Sequence, residues 1–213
     1  MFHVLRFAFK EASLSKRTLA IGSIVATIAI AIVAAETFLS AYKFRGSVID
    51  PPAPAANFSL KDQNGQTFQM SDQRGKLVLL FFGYTSCPDV CPTTLAQFKQ
   101  TRARLGALAD GVRFVFVTVD PQRDTPDKMG KYLNVFDPAI VGLGGSEANL
   151  EPVWKAYGVY RQVQPGSSAD AYTVDHSAWV YLIDAQGNLR LTYAFGVQAD
   201  DMAQDIRYLL RKG

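Results

Sequence analysis

Cys87 and Cys91, in the segment Gly83-Tyr84-Thr85-Ser86-Cys87-Pro88-Asp89-Val90-Cys91-Pro92, are the only cysteines among 213 residues. Far downstream, in Val174-Asp175-His176-Ser177, stands the only histidine outside the extreme N-terminus. Two thiols and one imidazole form a ligand set suited to a single soft metal ion, copper above all. The thiols alone also make a redox couple. The plainest reading of the pair is a structural disulfide in an exported protein. A ring this small restrains little chain, so such a bond would add little stability.

Pro92 has no backbone donor and biases Cys91 away from α geometry, which favours a tight loop entering a helix with Cys91 at or near its N-cap. A thiol there feels the positive end of the helix dipole, which favours thiolate, the form that ligates metals and attacks disulfides. The spacing lets the sulfurs bridge each other or reach one ion. Two thiolates and a neutral imidazole fit trigonal Cu(I), and an added oxygen or water would suit Cu(II). Structural zinc takes four ligands, and no second cysteine pair or further histidine supplies them. The haem-attachment pattern C-x-x-C-H is absent.

A second polar cluster reads Asp120-Pro121-Gln122-Arg123-Asp124-Thr125-Pro126. Asp124 or Thr125 is expected to cap a following helix. Asp120, at the C-terminal end of a strand, is expected near the cysteine loop, where it could orient a ligand or meet a partner. Asp175, beside His176, is a candidate outer partner of the histidine or a further oxygen ligand. Trp154, Tyr157 and Tyr160 are expected to pack a helix end.

These residues need elements to hold them. Asn57–Leu60 and Thr67–Met70 read as a β-hairpin turned at Asn64-Gly65. The run 77–84 (LVLLFFGY) has the continuous apolar character of a central buried strand. A helix follows Pro92, with Leu95, Phe98, Leu105 and Leu108 on one face. Residues 112–119 (VRFVFVTV) form a second buried strand, and a helix runs from Pro126 to about Phe136. A short apolar stretch at 139–143 leads to a helix near 146–157. Strands at 178–183 and 189–195 turn at Gln186-Gly187-Asn188, and a helix at 199–210 closes the domain. Strand, helix, strand, helix, antiparallel strand pair and final helix is the pattern of thioredoxin, preceded here by a hairpin. That order sets the sulfurs at the C-terminal end of a central strand, where open α/β sheets place their sites. The segment before the antiparallel pair approaches the cysteine loop in this order. Oxidoreductases of that fold usually carry a cis-proline there, whereas this chain has Thr173-Val174-Asp175-His176-Ser177-Ala178. A lone histidine is more often structural than ligating, and this topology is what makes His176 a ligand candidate.

Apolar residues make up 48% of the chain and charged residues 19%, as in an ordinary folded protein. The stretch 18–35 carries no charge, and as a helix its eighteen residues would be about 27 Å long, close to the thickness of a bilayer core. Arg6, Lys10, Lys16 and Arg17 precede it against Glu11 alone, which directs the N-terminus to the cytoplasm and the rest outward. A cleavable signal peptide is the alternative, but the apolar run exceeds the usual ~7–15 residues of a signal core. The net charge of +3 belongs entirely to the first seventeen residues, and the remainder is neutral, so nothing directs the domain to nucleic acid. The expected organisation is a cytoplasmic tail at 1–17, a transmembrane anchor at 18–35, a proline-rich tether at 36–56 and one α/β domain at 57–213.

Three motifs together, T-S-C-P-D-V-C-P, V-D-P-Q-R-D-T-P and V-D-H-S-A-x-x-Y-L-I-D, resemble those of the Sco/SenC proteins in content, order and spacing. The resemblance spans about Asn57 to Arg211. It implies a thioredoxin-like central sheet flanked by helices, a membrane anchor, and one copper held by Cys87, Cys91 and His176. It also implies a role in building the binuclear copper centre of cytochrome c oxidase subunit II, with an upstream copper donor or thiol reductant as a further partner. Asp120 and Asp124 match acidic positions of the family's D-P-x-x-D-T-P element. Trp179 is bulky where a smaller residue is expected. The alternative function is a thiol–disulfide reductase acting through Cys87 and Cys91 alone, for which His176 would be dispensable. A peroxiredoxin-like peroxidase using Cys87 leaves Cys91 and His176 unexplained, and a copper or redox sensor would share the ligands but not the partner. The short N-terminus favours a bacterial periplasm over a mitochondrial intermembrane space.

Overall fold

The computed structural model describes residues 22, 25–30, 42–166 and 171–212. It divides into two units, Met1–Lys43 and Phe44–Gly213. In the first, Gly22 and residues 25–30 are helical. Most of the apolar stretch at 18–35 lies outside the described residues, and among the described residues no helix is long and apolar enough to cross a membrane.

The second unit is an eight-stranded sheet with helices packed on it. In chain order the elements are β1 (Ser47–Pro54), β2 (Ser59–Asp62), β3 (Thr67–Gln69), β4 (Leu77–Gly83), α1 (Val90–Leu105), β5 (Val112–Thr118), α2 (Pro126–Phe136), β6 (Val141–Gly144), α3 (Glu147–Ala156), β7 (Arg161–Gln164), β8 (Thr173–His176), β9 (Val180–Ile183), β10 (Asn188–Tyr193) and α4 (Ala199–Lys212). The main sheet has the order β1-β10-β9-β4-β5-β6-β2-β3, and β7 and β8 form a separate two-stranded ribbon. β4–β5 and β5–β6 run parallel, while β9 joins β4 antiparallel. All seven residues of β4 are buried, as its unbroken apolar sequence demands of a strand covered on both faces. The expected hairpin forms between β2 and β3, with Gly65 at φ +78° and the Asp62 carboxylate accepting from the N–H groups of Asn64 and Gln66.

The proline-rich tether requires correction. Ser47–Pro54 is not a free spacer but the edge strand β1, paired antiparallel with β10. An edge strand needs hydrogen bonds on one side only, so it tolerates prolines. The ladder also shifts register between Val48 and Ala53, where Asp50-Pro51-Pro52 lies. The segment before it is anchored by Asp205 of α4, a fully buried carboxylate that accepts from the N–H groups of Arg45 and Gly46 and from the Tyr193 hydroxyl. The domain therefore begins at Phe44, not Asn57.

Other elements fall within a few residues of expectation. α4 buries Met202, Ala203, Ile206 and Leu209 and packs against α1. α2 lies so close over β6 that a Cβ on Gly142 would sit 2.5 Å from Leu133. Leu108, expected on the buried face of α1, instead lies in a 3-10 turn beyond that helix and is exposed. Trp154 and Tyr157 are buried, with the indole N–H donating to the Thr118 carbonyl and the Tyr157 hydroxyl to that of Ala56, whereas Tyr160 is exposed. Trp179 is exposed as well, so its bulk disturbs no core. The β7–β8 ribbon has no counterpart in the expected element list.

Candidate metal centre

β4 delivers the chain to the site at Gly83, and α1 carries it away from Val90. The loop between them is pinned from below. Asp124, nearly fully buried, accepts from the Thr85 N–H at 3.1 Å, the Thr85 hydroxyl at 2.5 Å and the Thr118 hydroxyl at 2.6 Å. Thr125, not Asp124, caps α2 by accepting from the Lys128 N–H. Asp124 is thus a brace for the cysteine loop, a role its position in a capping sequence concealed. Cys91 falls at the second residue of α1, in its first turn and two residues past the N-cap Asp89. Asp89, at the N-cap, makes no side-chain capping bond; instead the Cys91 N–H points at the Cys87 sulfur, 3.5 Å away. The sulfur stands where an N-cap oxygen would, at the positive end of the helix.

Gly83 makes the close packing possible. A Cβ built on it would lie 2.8 Å from the Cys91 sulfur and 2.8 Å from Phe116. Cys91 is consequently fully buried, while Cys87 is half-buried and neither forms a disulfide. His176 ends β8, with Nε2 3.8 Å from the Cys91 sulfur and Nδ1 2.9 Å from the Ser177 carbonyl. A carbonyl only accepts, so Nδ1 carries a proton, and Nε2 is the ring nitrogen that faces the sulfurs. Tyr84 and Phe81 meet the imidazole edge-on, with centroids 5.8 and 6.4 Å away.

The ligand atoms of Cys87, Cys91 and His176 all lie within 4.8 Å of one another. Three donors ~2.0–2.3 Å from a trigonal ion stand about 3.5–4.0 Å apart. The 3.8 Å separation of the His176 nitrogen and the Cys91 sulfur falls in that range, and the 4.8 Å limit on the whole set leaves only a small closure for the remaining pairs. Two soft sulfurs and an imidazole suit copper better than hard ions. The thiols share a proton unequally. Cys87 is pushed down to about 3, first because the Cys91 thiol donates to it and then, against the cost of burial, because His176 and the backbone N–H of Cys91 also face it. Cys91 is raised, because it gives that hydrogen bond to Cys87, because it is buried, and because the Cys87 and Asp124 charges oppose its ionisation. A cleft of about 310 Å³, lined by Tyr84, Cys87, Pro88, Val174 and His176 among others, opens Cys87 and His176 to solvent, while Cys91 stays buried behind them.

The SCO1/SenC family model matches residues 48–211. The chain belongs to the SCO1/SenC family. ScoI of Bradyrhizobium japonicum, solved with copper bound, is 40% identical with a TM-score of 0.70, over 74% of this chain and 100% of its own. Arabidopsis thaliana ScoI, also solved with copper bound, is 30% identical with a TM-score of 0.69, over 76% and 100%. A SCO2-like protein of Rickettsia felis is 40% identical over 132 residues, which cover 62% of this chain and 64% of that relative, just under two-thirds of its length. The thioredoxin-like central sheet expected from the element order matches these Sco structures.

Two further acidic residues singled out in this SCO1/SenC sequence lie elsewhere. Asp175 is exposed and accepts from the Gln164 amide at 2.7 Å. Side chains alternate along a strand, so when His176 turns toward the sulfurs Asp175 turns away, and the Ser177 carbonyl orients the imidazole in its stead. Asp120 is fully buried, but its oxygens are taken by Arg123 and the Tyr172 hydroxyl and it is no member of the triad. Gly83, Tyr84, Arg123 and Tyr172 were not foreseen. A turn signal at Gln164-Pro165-Gly166-Ser167 between two short β-type runs could have revealed the ribbon that carries His176.

Proposed function

We propose that this chain is a membrane-anchored copper chaperone, with Cys87, Cys91 and His176 as its copper ligands and residues 18–35 as its anchor. The domain stands on the exported side, in a bacterial periplasm, and takes copper from an upstream donor. Its acceptor is the binuclear copper site of cytochrome c oxidase subunit II. The observation that carries this reading is the convergence of two free sulfurs and one imidazole nitrogen within 4.8 Å of one another, with the other ring nitrogen held by the Ser177 carbonyl. Family membership and the copper-bound ScoI structures support it. Copper is cargo here. The half-buried Cys87 and His176 face a cleft from which an acceptor thiolate can displace them one at a time, so the ion passes by ligand exchange without ever being free.

The test uses the full-length chain in detergent, reduced and titrated with Cu(I) against a chromogenic chelator, beside His176→Ala and Cys87→Ser. One copper per chain, badly weakened in both variants and passed to the reduced copper domain of subunit II, is the expected result. Copper binding indifferent to His176 would overturn it. The second reading, thiol–disulfide reduction of acceptor cysteines, draws on the low-lying ionisation of Cys87 beside a protonated Cys91. It predicts facile reduction and re-formation of a Cys87–Cys91 disulfide that His176→Ala leaves unchanged.

A further inference from the structure

His176 is the one donor of the proposed triad that does not lie on the β4–α1 connection. It ends β8, and among the described residues β8 pairs with β7 alone. A two-stranded ribbon is marginal by itself, so side chains must determine where it stands. The chain just before β8 is held by a compact set of contacts. Arg123 Nε pairs with Asp120 at 2.5 Å, and Nη1 donates to the Tyr172 carbonyl at 2.8 Å. The guanidinium lies 3.6 Å from the centre of the Tyr172 ring, stacked upon it. The Tyr172 hydroxyl donates to the second Asp120 oxygen at 2.6 Å. Four residues further on comes His176. Between them, the Val174 N–H reaches the Tyr84 hydroxyl at 3.4 Å, and the Tyr84 ring meets both His176, at 5.8 Å, and the Arg123 guanidinium, at 5.7 Å.

The chemistry of this set is demanding. Asp120 has no solvent exposure, and a buried carboxylate left without its cation is strongly unfavourable. Arg123 answers it while bonding a backbone carbonyl and stacking on a ring, three tasks that a planar guanidinium performs together and an ammonium cannot. Asp120 follows β5 of the main sheet, so the ribbon is referred to the same rigid frame that holds Cys87 and Cys91. We propose that the Asp120–Arg123–Tyr172 clasp positions His176 and thereby sets how firmly the imidazole completes the copper triad. The proposal rests on His176 being a copper ligand. Asp120, Arg123 and Tyr172 are positioning residues, and none of them touches the ion.

The experiment is a thermodynamic cycle on the full-length chain in detergent, with copper itself as the probe. Affinity is measured by chelator competition for the parent, Arg123→Lys, His176→Ala and the double variant. Arg123→Lys is expected to weaken copper at least about tenfold when His176 is present, as is usual when a partner behind a metal ligand is lost. In the His176→Ala background the same change should alter affinity by less than about twofold, within the error of additivity. The nitrogen hyperfine structure of the Cu(II) form should weaken in Arg123→Lys, a signature that general destabilisation would not move. An equal loss in both backgrounds, or no loss in the parent, overturns the clasp. If Arg123→Lys does not fold, Tyr172→Phe removes a single hydrogen bond and must show the same dependence on His176. Should His176→Ala leave copper binding untouched, the ligand reading falls and the clasp with it. Should His176→Ala weaken copper without coupling to Arg123, the clasp alone falls.

Discussion

Gly83→Ala is the sharpest test of how the site is built. The glycine has no positive φ to protect, so alanine meets no backbone penalty and its effect is purely steric. The added methyl would lie 2.8 Å from the Cys91 sulfur and 2.8 Å from a Phe116 carbon, where ordinary contact begins at 3.4 Å. At least about 0.6 Å of movement is needed, and both neighbours are fully buried with nowhere to retreat. Overpacking of this kind costs about 1–3 kcal/mol. For a domain of this size that lowers the melting temperature by roughly 2–4 °C per kcal/mol. The displaced sulfur is a proposed ligand, and metal sites tolerate displacements of only ~0.2 Å. Copper affinity should therefore fall on the order of 10–100-fold, out of proportion to the loss of stability. Differential scanning calorimetry of the metal-free chain and Cu(I) competition read the two effects separately. If Gly83→Ala matched the parent in both, the close approach of Cys91 to β4 would not constrain the site.

The remaining expectations concern the thiols, the loop brace and the edge strand. Alkylation of Cys87 in the reduced, metal-free chain should stay nearly constant as pH falls from about 8 to 5, because its ionisation is lowered, whereas an ordinary thiol of pKa ~8.5 loses close to tenfold per unit. Cys91, whose ionisation is raised, should remain unmodified throughout; a steep decline at Cys87 would refute the assignment of the thiolate. Asp124→Ala strips the acceptor from Thr85 and Thr118 and should cost about 2–4 kcal/mol in denaturant unfolding. An unchanged midpoint would show that the cysteine loop does not depend on it. A chain starting at Asn57 lacks β1 and bares the edge of β10, so it should melt lower and aggregate more readily than one starting at Phe44, and equal behaviour would make β1 an ornament.

The sequence showed best what one local pattern decides. The buried strands β4 and β5 were visible as unbroken apolar runs, and Cys87, Cys91 and His176 stood out because their types are so scarce in the chain. What it concealed depends on pairing between distant segments. Ser47–Pro54 has the composition of a spacer and becomes a strand only because β10 offers an edge and Asp205 anchors the residues before it. Asp124 reads as a helix cap, and only the return of the chain to Thr85, thirty-nine residues earlier, gives it another task. Asp175 looked like the natural companion of His176, yet strand alternation sends neighbours to opposite sides. Gly83 carries no signal by itself, since the sulfur that needs its missing side chain comes eight residues later across a turn.

The three proposed copper donors differ in how they are held, and on that reading the difference bears on function. Cys91 is wedged between β4 and the first turn of α1, with Gly83 and Phe116 against its sulfur, so it has almost no freedom. Cys87 sits on the loop above and is half-exposed, and His176 arrives on a ribbon outside the main sheet. A store of metal would be expected to bury all three donors behind a closed shell. A protein that hands metal on needs one fixed donor to keep the ion oriented and two accessible donors to surrender in turn. On the proposed reading an acceptor's sulfur enters through the cleft, where it meets Cys87 and His176 and never Cys91, so the buried sulfur is the last to let go. The side-chain clasp on the ribbon then has a clear physical consequence. It sets how far His176 can yield as the incoming ligand takes its place, and thus the balance between holding copper and releasing it.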